Sequence, residues 1–295
     1  MVKKKTFTII GGDMRQAHLT NSLAFKESGY KIYGMFLEPS VKLSGSIHIS
    51  DDIQLVMPQS DIIIFPLPLL GPDGYVNSPA GTPRIALESY LEYLCPETVV
   101  LAGKVSRESA DLFHAKGIQV VDYLEREEFA VLNAVPTAEG AVEIALRELP
   151  ITLMGANCVV TGYGRIAKVL IRLLTAFGAH VKVVARKYGD LAWVYTGGSE
   201  AVHISEMSGC LSDADILFNT VPTAILGEDK LKKLGRDCLV IDLASKPGGV
   251  DFETAKRLGI RTIWALSLPG KVAPITAGEI TLSTILNILR ERGAL

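Results

Sequence analysis

A glycine-rich turn in the second half of the chain has the residue types and spacing that a dinucleotide pyrophosphate requires. The apolar stretch from Asn157 to Thr161 runs directly into Gly162-Tyr163-Gly164-Arg165-Ile166-Ala167, and a helical pattern follows. In such a turn the first glycine permits a sharp bend, the second lets backbone N–H groups approach the phosphates, and the small last residue lets the helix pack close to the strand. A second strand pattern, His180 to Ala185, follows at the expected distance. We therefore predict dinucleotide contacts at Gly162, Tyr163, Gly164, Arg165 and Ile166.

The end of that second strand predicts which dinucleotide is bound. NAD sites usually carry Asp or Glu about 20 residues past the glycines, where the carboxylate accepts a hydrogen bond from the ribose 2′-hydroxyl. This chain has Arg186 and Lys187 there instead. A carboxylate repels a 2′-phosphate, whereas a guanidinium holds it through paired, charge-assisted hydrogen bonds. The sequence therefore favours NADP, and the alternative is that both cations are ordinary solvated charges at a strand end.

Three later strand patterns in the same half end in distinctive runs. They are Asn219-Thr220-Val221-Pro222, Asp242-Leu243-Ala244-Ser245-Lys246-Pro247 and Pro269-Gly270-Lys271. Because the carboxyl ends of parallel strands meet at one edge of a sheet, the three runs together favour a functional site there. The amide and hydroxyl of Asn219 and Thr220 are expected where a ribose or nicotinamide would lie. Taken singly, each proline could simply end a strand. The predicted cofactor contacts in these runs are Asn219, Thr220, Val221, Pro222, Asp242 and Ala244.

The first half of the chain offers cations rather than a second glycine turn. Gly11-Gly12-Asp13-Met14-Arg15-Gln16 follows the first strand pattern but lacks the last small residue of a dinucleotide turn. Arg15 lies at the start of a helix pattern and Lys104 just after a strand pattern, so each is expected either to face an anionic ligand or to be a surface charge. The stretch Pro66 to Arg84, with five prolines and three glycines, is predicted to be a loop that lies over a cleft.

Composition excludes several classes of function. The chain has 295 residues, 48% of them hydrophobic, and its 30 basic and 32 acidic residues give a net charge of −2. No basic field is present, so we expect no nucleic-acid partner. No apolar run reaches the roughly 20 residues of a spanning helix, and no signal peptide is recognisable, so no membrane partner is expected. The four cysteines are widely spaced and indicate neither a disulfide set nor a metal site, which favours the cytoplasm.

Alternation of strand and helix patterns along both halves predicts an α/β fold. We expect two doubly wound, parallel-sheet (Rossmann-like) domains separated by a cleft, with the C-terminal helix crossing back to the first domain. The predicted bounds are 1–135 for a substrate and catalytic domain, with the helix 276–295 packed on it, 136–150 for a linking helix, and 151–275 for the NADP-binding domain. The pattern is expected to break at residues 133–137, with Thr137 capping the helix that follows.

The two-domain layout resembles the D-2-hydroxyacid dehydrogenase and alanine dehydrogenase class, with departures in the predicted site. Where the hydroxyacid enzymes carry a catalytic arginine, this chain has Ala244-Ser245-Lys246, and no histidine follows the last strand of the nucleotide-binding half. Alcohol oxidation needs a base for the hydroxyl proton. Chemistry on a small 2-oxo or 2-hydroxy acid is therefore the alternative interpretation.

Six motifs more closely resemble the family of the dipicolinate synthase A-subunit, over essentially the whole chain. They are Gly11-Gly12-Asp13-x-Arg15-Gln16, Asn133-Ala134-x-Pro136-Thr137-Ala138-Glu139-Gly140, Gly162-Tyr163-Gly164-Arg165, Phe218-Asn219-Thr220-Val221-Pro222, Asp242-Leu243-Ala244-Ser245-x-Pro247-Gly248-Gly249 and Leu268-Pro269-Gly270-Lys271-x-Ala273-Pro274. The resemblance implies oxidation of a dihydrodipicolinate to pyridine-2,6-dicarboxylate with NADP as acceptor. It also implies a partner, the dipicolinate synthase B-subunit, and a place in the mother-cell cytosol during sporulation.

A dicarboxylate buried beside a nicotinamide needs cationic or multi-donor partners. The candidates for binding this substrate are Arg15, Lys104, Lys246 and Lys271, followed by Asn133, Thr137 and Arg84. Lys104 and Glu139 are the candidate catalytic residues. Glu139 is equally well explained as a carboxylate in the first turn of a helix, and aromatisation could drive the reaction without a dedicated base.

The sequence leaves three functions in competition. They are the NADP-linked aromatising dehydrogenase, a dehydrogenase of another small 2-oxo or 2-hydroxy acid, and a non-catalytic NADP-binding scaffold for the B-subunit. A homodimer is also compatible with the sequence.

Overall fold

The chain forms two units, each built around its own parallel sheet. The computed structural model describes residues 5–26, 29–78 and 84–295. Residues 79–83, part of the stretch predicted to be a loop, lie outside these ranges. Unit 1 comprises Met1–Leu132 and Ala273–Leu295, and unit 2 comprises Asn133–Val272.

The sheet of unit 1 has the strand order β3-β2-β1-β4-β5-β6, and neighbouring strands are parallel. Its strands are β1 (Thr6–Ile10), β2 (Lys31–Met35), β3 (His48–Ile49), β4 (Ile62–Ile64), β5 (Val99–Ala102) and β6 (Val120–Asp122). Its helices are α1 (Met14–Lys26), α2 (Ile53–Val56), α3 (Leu87–Leu91), α4 (Arg107–Ala115), the beginning of α5 (Glu127–Glu148) and, from the end of the chain, α11 (Pro274–Glu291).

The sheet of unit 2 repeats this topology, with the order β12-β11-β10-β7-β8-β9. Its strands are β7 (Asn157–Thr161), β8 (His180–Ala185), β9 (Glu200–His203), β10 (Ile216–Asn219), β11 (Leu239–Asp242) and β12 (Arg261–Trp264). Besides the rest of α5, its helices are α6 (Arg165–Ala176), α7 (Tyr188–Thr196), α8 (Glu228–Leu231), α9 (Phe252–Leu258) and α10 (Leu268–Val272). The predicted pair of doubly wound parallel sheets is confirmed.

Continuous apolar strands explain why both sheets are covered on two faces. Every residue of β1, β4, β10 and β11 is buried. Successive side chains of a strand point to opposite faces, so Ile62 and Ile64 join one apolar cluster and Ile63 another. In unit 2, Val160 and Val159 likewise belong to two different apolar clusters. Burial on both faces is typical of parallel sheets.

Helix α5 corrects one prediction, because the chain does not break at residues 133–137. The helix runs from Glu127 to Glu148 with Pro136 inside it. Thr137 therefore caps nothing, and its hydroxyl donates to the carbonyl of Asn133 at 2.8 Å. A proline inside a helix costs about 3 kcal/mol, which the burial of the surrounding alanines (Ala134, Ala138 and Ala141) helps to offset.

The composition of α5 also bears on the membrane question. Among helices of the described residues, it alone is long and apolar enough to cross a membrane, with a mean hydropathy of 1.3 in its most apolar window. In the structure 56% of that window is buried. A core helix of a globular unit satisfies the same criterion.

Helix α11 packs against α1 within unit 1. The contact is close at Gly278, where an added Cβ atom would lie 2.6 Å from the carbonyl oxygen of Arg15 and 3.0 Å from the amide nitrogen of Leu19. Side chains on the inner face of α11, among them Leu282, Ile285 and Leu289, are completely buried in the unit 1 core.

Candidate functional site

The glycine turn joins β7 to α6 at the point where the strand order of unit 2 reverses, between β7 and β10. Gly162 has a φ of +92°, a conformation that glycine adopts without strain. A Cβ atom there would lie 2.5 Å from the hydroxyl oxygen of Thr220, which follows β10. That hydroxyl donates to the carbonyl of Thr161 at 2.7 Å, and the amide of Gly162 donates to Val184 at 2.8 Å. Glycine is therefore required for the two loops to meet.

The N-terminus of α6 has the features of an anion site. Gly164 is its N-cap, no side chain caps the helix, and the first turn contains no acidic residue. The first N–H groups of a helix have no partner within it and carry a partial positive charge. A Cβ atom on Gly164 would meet no protein atom within 4 Å, so the space in front of this turn is open. Of the other predicted residues, Arg165 is exposed and Tyr163 and Ile166 are half-buried.

A cavity of ≈ 310 Å³ extends from the glycine turn along the ends of β8 and β10. Its walls are apolar at Val184, Ala185, Ile204, Val221 and Ile225, and it is also lined by Gly162, Tyr163, Thr223, Arg186, Lys187 and Asp190. Arg186 and Lys187 are both exposed. An apolar slot beside a helix N-terminus, with two cations and one carboxylate at its wall, fits the adenosine end of a dinucleotide.

Part of this lining could not be anticipated from the glycine motif. Ile204, Thr223 and Ile225 lie in segments after β9 and β10, and β9 itself was not predicted. The strand-like run from Glu200 to His203 was the only available signal. Asp190 lies in the first turn of α7, four residues beyond Arg186.

The side chains of Asn219 and Asp242, predicted to contact the cofactor, are bonded to each other in the structure. Both are completely buried, as is Thr161. The Asn219 amide accepts from the Thr161 hydroxyl at 2.6 Å and donates to the Asp242 carboxylate at 2.7 Å. Asn219 also exchanges hydrogen bonds with the backbone of Val221. The Asn219 amide thus uses both donors and both acceptor positions within the protein, and the three side chains tie together the ends of β7, β10 and β11.

The loop after β11 closes over this buried pair. The Asp242 carboxylate accepts from the amides of Ala244 at 3.0 Å and Gly249 at 2.9 Å. A Cβ atom on Gly249 would collide with the Asn219 side chain, and one on Gly248 would lie 2.8 Å from an Asp242 oxygen. The Gly248-Gly249 pair thus lets the loop approach a buried carboxylate and satisfy it with backbone donors.

The candidate cations of unit 1 differ in their surroundings. Arg15 is committed within the unit, since it pairs with Asp13 at 2.8 Å and donates to the carbonyl of Leu67 at 2.9 Å. Lys104 is exposed and has a φ of +58°, unusual for a residue with a side chain. The Asp122 carboxylate holds it in place by accepting from the amides of Lys104 at 3.0 Å and Val105 at 2.7 Å.

The remaining predicted substrate residues are dispersed. Arg84 is 71% exposed and pairs with Asp73. Asn133 and Thr137 lie within α5, and Lys246 and Lys271 are exposed, in the loop after β11 and in α10. Glu139 is exposed on α5 and lines a groove with Leu173 and Phe177, at the opposite end of α6 from the glycine turn. Its position does not support a role at that turn.

The cysteines have no disulfide partners. Burial, with the Asp215 charge as a smaller cause, raises the pKa of Cys158 and of Cys238 to about 12. Such thiols stay protonated and unreactive at neutral pH. Across the described ranges, no three His, Cys, Asp or Glu side chains form a group that could hold a metal ion.

The doubly wound sheet, the glycine turn and the adjoining cavity define unit 2 as a dinucleotide-binding domain of the dehydrogenase type. The dipicolinate synthase A-subunit of Bacillus subtilis (strain 168) is 31% identical over 284 residues, which cover 96% of this chain and 95% of that protein. The chain belongs to the dipicolinate synthase A-subunit family.

Family models and solved structures agree with this assignment. Residues 6–124 match the N-terminal domain of the dipicolinate synthase A-subunit, and residues 143–263 match the shikimate / quinate 5-dehydrogenase family. The crystal structure of the dipicolinate synthase A-subunit from Bacillus halodurans has a TM-score of 0.90 at 32% identity, covering 98% of this chain and 99% of that one. An L-alanine dehydrogenase shares the fold, with a TM-score of 0.64 at 11% identity over 98% of this chain and 91% of that one. The matches support a dehydrogenase-type role and imply a nicotinamide cofactor.

Proposed function

We propose that this chain is an NADP-dependent oxidoreductase subunit that oxidises a dihydrodipicolinate-type precursor to dipicolinate. The observation that carries the choice of NADP is the cavity beside the glycine turn, whose wall includes the exposed cations Arg186 and Lys187. The open N-terminus of α6 would hold the pyrophosphate, and the apolar slot between Ile204 and Val221 would hold the adenine.

The residues of unit 2 would orient the cofactor rather than take part in proton transfer. When bound, the oxidised nicotinamide supplies an acceptor for the hydride that leaves the substrate ring. The buried Thr161–Asn219–Asp242 set fixes the loops after β10 and β11, at the edge where the nicotinamide half is expected. A rigid edge would lower the entropic cost of ordering the protein when the cofactor binds.

Exposed cations would hold the two carboxylates of the substrate. Lys104 supports this role best, because Asp122 fixes its backbone in a conformation that residues with side chains rarely adopt. Lys246 and Lys271 are the candidates from unit 2. Arg15 is less suited, since Asp13 already neutralises its charge. Loss of a ring proton with the hydride produces an aromatic ring, so we assign no side chain as a general base.

We further propose that the chain works with the dipicolinate synthase B-subunit in the cytoplasm of the mother cell. The support is the membership of a family whose relatives are named as one subunit of a synthase. A second subunit could deliver the unstable dihydro precursor or complete the substrate site. This part of the proposal stands apart from the choice of cofactor.

The decisive experiment follows absorbance at 340 nm with purified chain, NADP and freshly prepared dihydrodipicolinate, with and without the B-subunit. The proposal expects NADPH to form at the rate at which dipicolinate appears. Oxidation of only 2-hydroxy acids would favour the alternative dehydrogenase. NADPH binding without turnover under any condition, even with the B-subunit, would indicate a scaffold. Absence of NADPH binding by folded protein, measured by calorimetry, would overturn the cofactor assignment itself.

A further inference from the structure

The side chain of His203 binds the backbone of Arg186, just beyond the last paired residues of β8 and β9. Strands β8 and β9 are parallel, and their last paired residues are Ala185 and His203. The carbonyl of the next residue, Arg186, lies 3.2 Å from Nε2 of His203. An imidazole N–H therefore takes the place of the backbone donor that a longer ladder would have offered.

The other contacts of His203 determine which ring nitrogen faces Arg186. Nδ1 lies 2.7 Å from the hydroxyl oxygen of Ser205, and the Ser205 amide donates to the same nitrogen at 3.4 Å. Because Nδ1 accepts, the hydrogen on Nε2 is the one that donates to the Arg186 carbonyl. The ring thus has two separate functions, capping the segment after β9 and anchoring the turn after β8.

Tyr188 holds the same ring from its face. Its ring stacks on that of His203 with the centroids 5.1 Å apart and the planes 8° from parallel. Tyr188 is nevertheless 77% exposed, so this contact does not belong to the apolar core. The residues Arg186, Lys187 and Tyr188 are consequently fastened to His203 at both ends, by a hydrogen bond at the first and by a stack at the last.

We infer that His203 is a positioning residue that sets the preference for a 2′-phosphorylated dinucleotide, by fixing the turn that carries Arg186 and Lys187. This inference rests on the proposed use of NADP. Without the anchor, the turn samples several conformations, and ordering it on binding reduces the affinity gained from both cations. Ligands without a 2′-phosphate should be affected less, because the bond to the Arg186 carbonyl acts on the turn with Arg186 and Lys187, whereas the bond to the Ser205 amide holds the segment with Ile204.

Two substitutions separate the functions of the ring. His203→Asn places an oxygen near the position of Nδ1 and keeps the cap on Ser205, but it does not reach the Arg186 carbonyl. His203→Gln places an N–H near the position of Nε2 and keeps the anchor. The ligands are 2′,5′-ADP against 5′-AMP and NADPH against NADH, measured by calorimetry on the full chain. Thermal unfolding without ligand reports the structural effect of each variant.

The expected result is a large loss of preference in His203→Asn that His203→Gln does not show. His203→Asn should weaken the binding of 2′,5′-ADP and of NADPH by about tenfold, which corresponds to the loss of one well-formed hydrogen bond. The affinities for 5′-AMP and NADH should change less than twofold. His203→Gln should stay within about threefold of the unmodified chain for all four ligands. Both variants also lose the ring stacked on Tyr188. Tyr188→Leu measures that loss alone, which should reduce the preference by no more than about threefold. Equal losses for all ligands, or equal losses in the Asn and Gln variants, would overturn the inference.

Failure of the inference is distinguishable from failure of the proposed function. If the unmodified chain binds 2′,5′-ADP no better than 5′-AMP, the NADP assignment is wrong and the inference falls with it. If the unmodified chain prefers 2′,5′-ADP and His203→Asn keeps that preference, only the role of His203 is wrong.

Discussion

Arg186 is the residue on which the proposed choice of NADP depends most directly. Its side chain is exposed at the wall of the cavity, where a 2′-phosphate would otherwise be bound only by water and Lys187. Asp190 lines the same cavity and opposes a phosphate there. The cations must outweigh this carboxylate if NADP is the preferred ligand.

Arg186→Asp should weaken NADPH binding by roughly 10- to 100-fold, because charge-assisted hydrogen bonds to the 2′-phosphate are lost and a repulsion is added. The affinity for NADH should change much less. Calorimetric dissociation constants for both nucleotides provide the measurement. Arg172→Asp, an identical charge change at an exposed position of α6, is the matched control and should leave both affinities near their original values. Equal losses of NADPH and NADH would remove the argument for a phosphate site at Arg186.

Substitutions of Lys104 test whether the strained backbone at this residue contributes to substrate binding. A residue with a side chain in the left-handed region is about 1 kcal/mol less stable than glycine in the same conformation. Lys104→Gly should therefore raise the free energy of unfolding slightly, by about 0.5 kcal/mol after the greater chain entropy of glycine is subtracted. The same variant should raise KM for the dicarboxylate about tenfold by removing a charged contact.

Two controls make this prediction specific. Lys104→Arg keeps the cation and the backbone conformation, so it should retain most of the affinity for the dicarboxylate. NADPH affinity should not change in either variant. An unchanged KM in Lys104→Gly would show that the strained lysine has no part in substrate binding.

At the scale of elements, the two glycines of the turn between β7 and α6 have different functions. Gly162 needs its positive φ and faces the Thr220 hydroxyl, whereas Gly164 has an ordinary φ of −82° and open space beside it. The first glycine serves the fold, and we propose that the second leaves room for the pyrophosphate. Substitution by alanine separates the two.

Gly162→Ala should lower the free energy of unfolding by on the order of 2 kcal/mol, because strain and overlap with Thr220 combine. Gly164→Ala should leave stability nearly unchanged but lower NADPH affinity more than tenfold, because its methyl group occupies the approach of the pyrophosphate. Denaturant unfolding and calorimetry on the two variants supply the comparison. Retained NADPH affinity in a folded Gly164→Ala variant would move the pyrophosphate away from this turn.

The sequence predicted the elements whose signal is local. Apolar runs such as Asn157–Thr161 and the glycine spacing specify strand, turn and helix within a few residues, and both sheets follow from their alternation. The two-residue strand β3 and the edge strand β9 were missed because their sequences are short and partly polar. Pro136 misled the prediction of α5, since packing of the alanine face overrides a local breaker.

Side-chain roles depended on contacts that a sequence does not reveal. Asn219 and Asp242 have the residue types of cofactor ligands, but each is the partner of the other. Arg15 is a cation at a helix start, but Asp13, two residues earlier, holds it. His203 attracted no prediction because its partner Arg186 is distant in sequence and lies just after the neighbouring strand. Pairing across strands decides which polar groups remain available to a ligand.

At the scale of the whole molecule, each unit has its own apolar core on both faces of its sheet. The end of the chain contributes to unit 1, where α11 buries ten of its residues and packs against α1. The proposed nucleotide cavity is lined entirely by residues of unit 2. A defect in the packing of α11 should therefore affect stability without changing the cavity.

Gly278→Ala tests this separation. The added methyl group would lie 2.6 Å from the Arg15 carbonyl oxygen, so α1 and α11 must move apart. Such overpacking lowers the free energy of unfolding by about 1–3 kcal/mol, partly offset by the higher helix propensity of alanine. Gly189→Ala in α7 is the control, since a Cβ atom there meets nothing within 4 Å and should cause no loss. Differential scanning calorimetry should detect destabilisation in Gly278→Ala alone. The NADPH affinity of this variant at 20 °C should stay within about twofold of that of the unmodified chain, because coupling between sites without shared partners is small. A loss of NADPH affinity in folded Gly278→Ala protein would show that the packing of α11 shapes the nucleotide cavity after all.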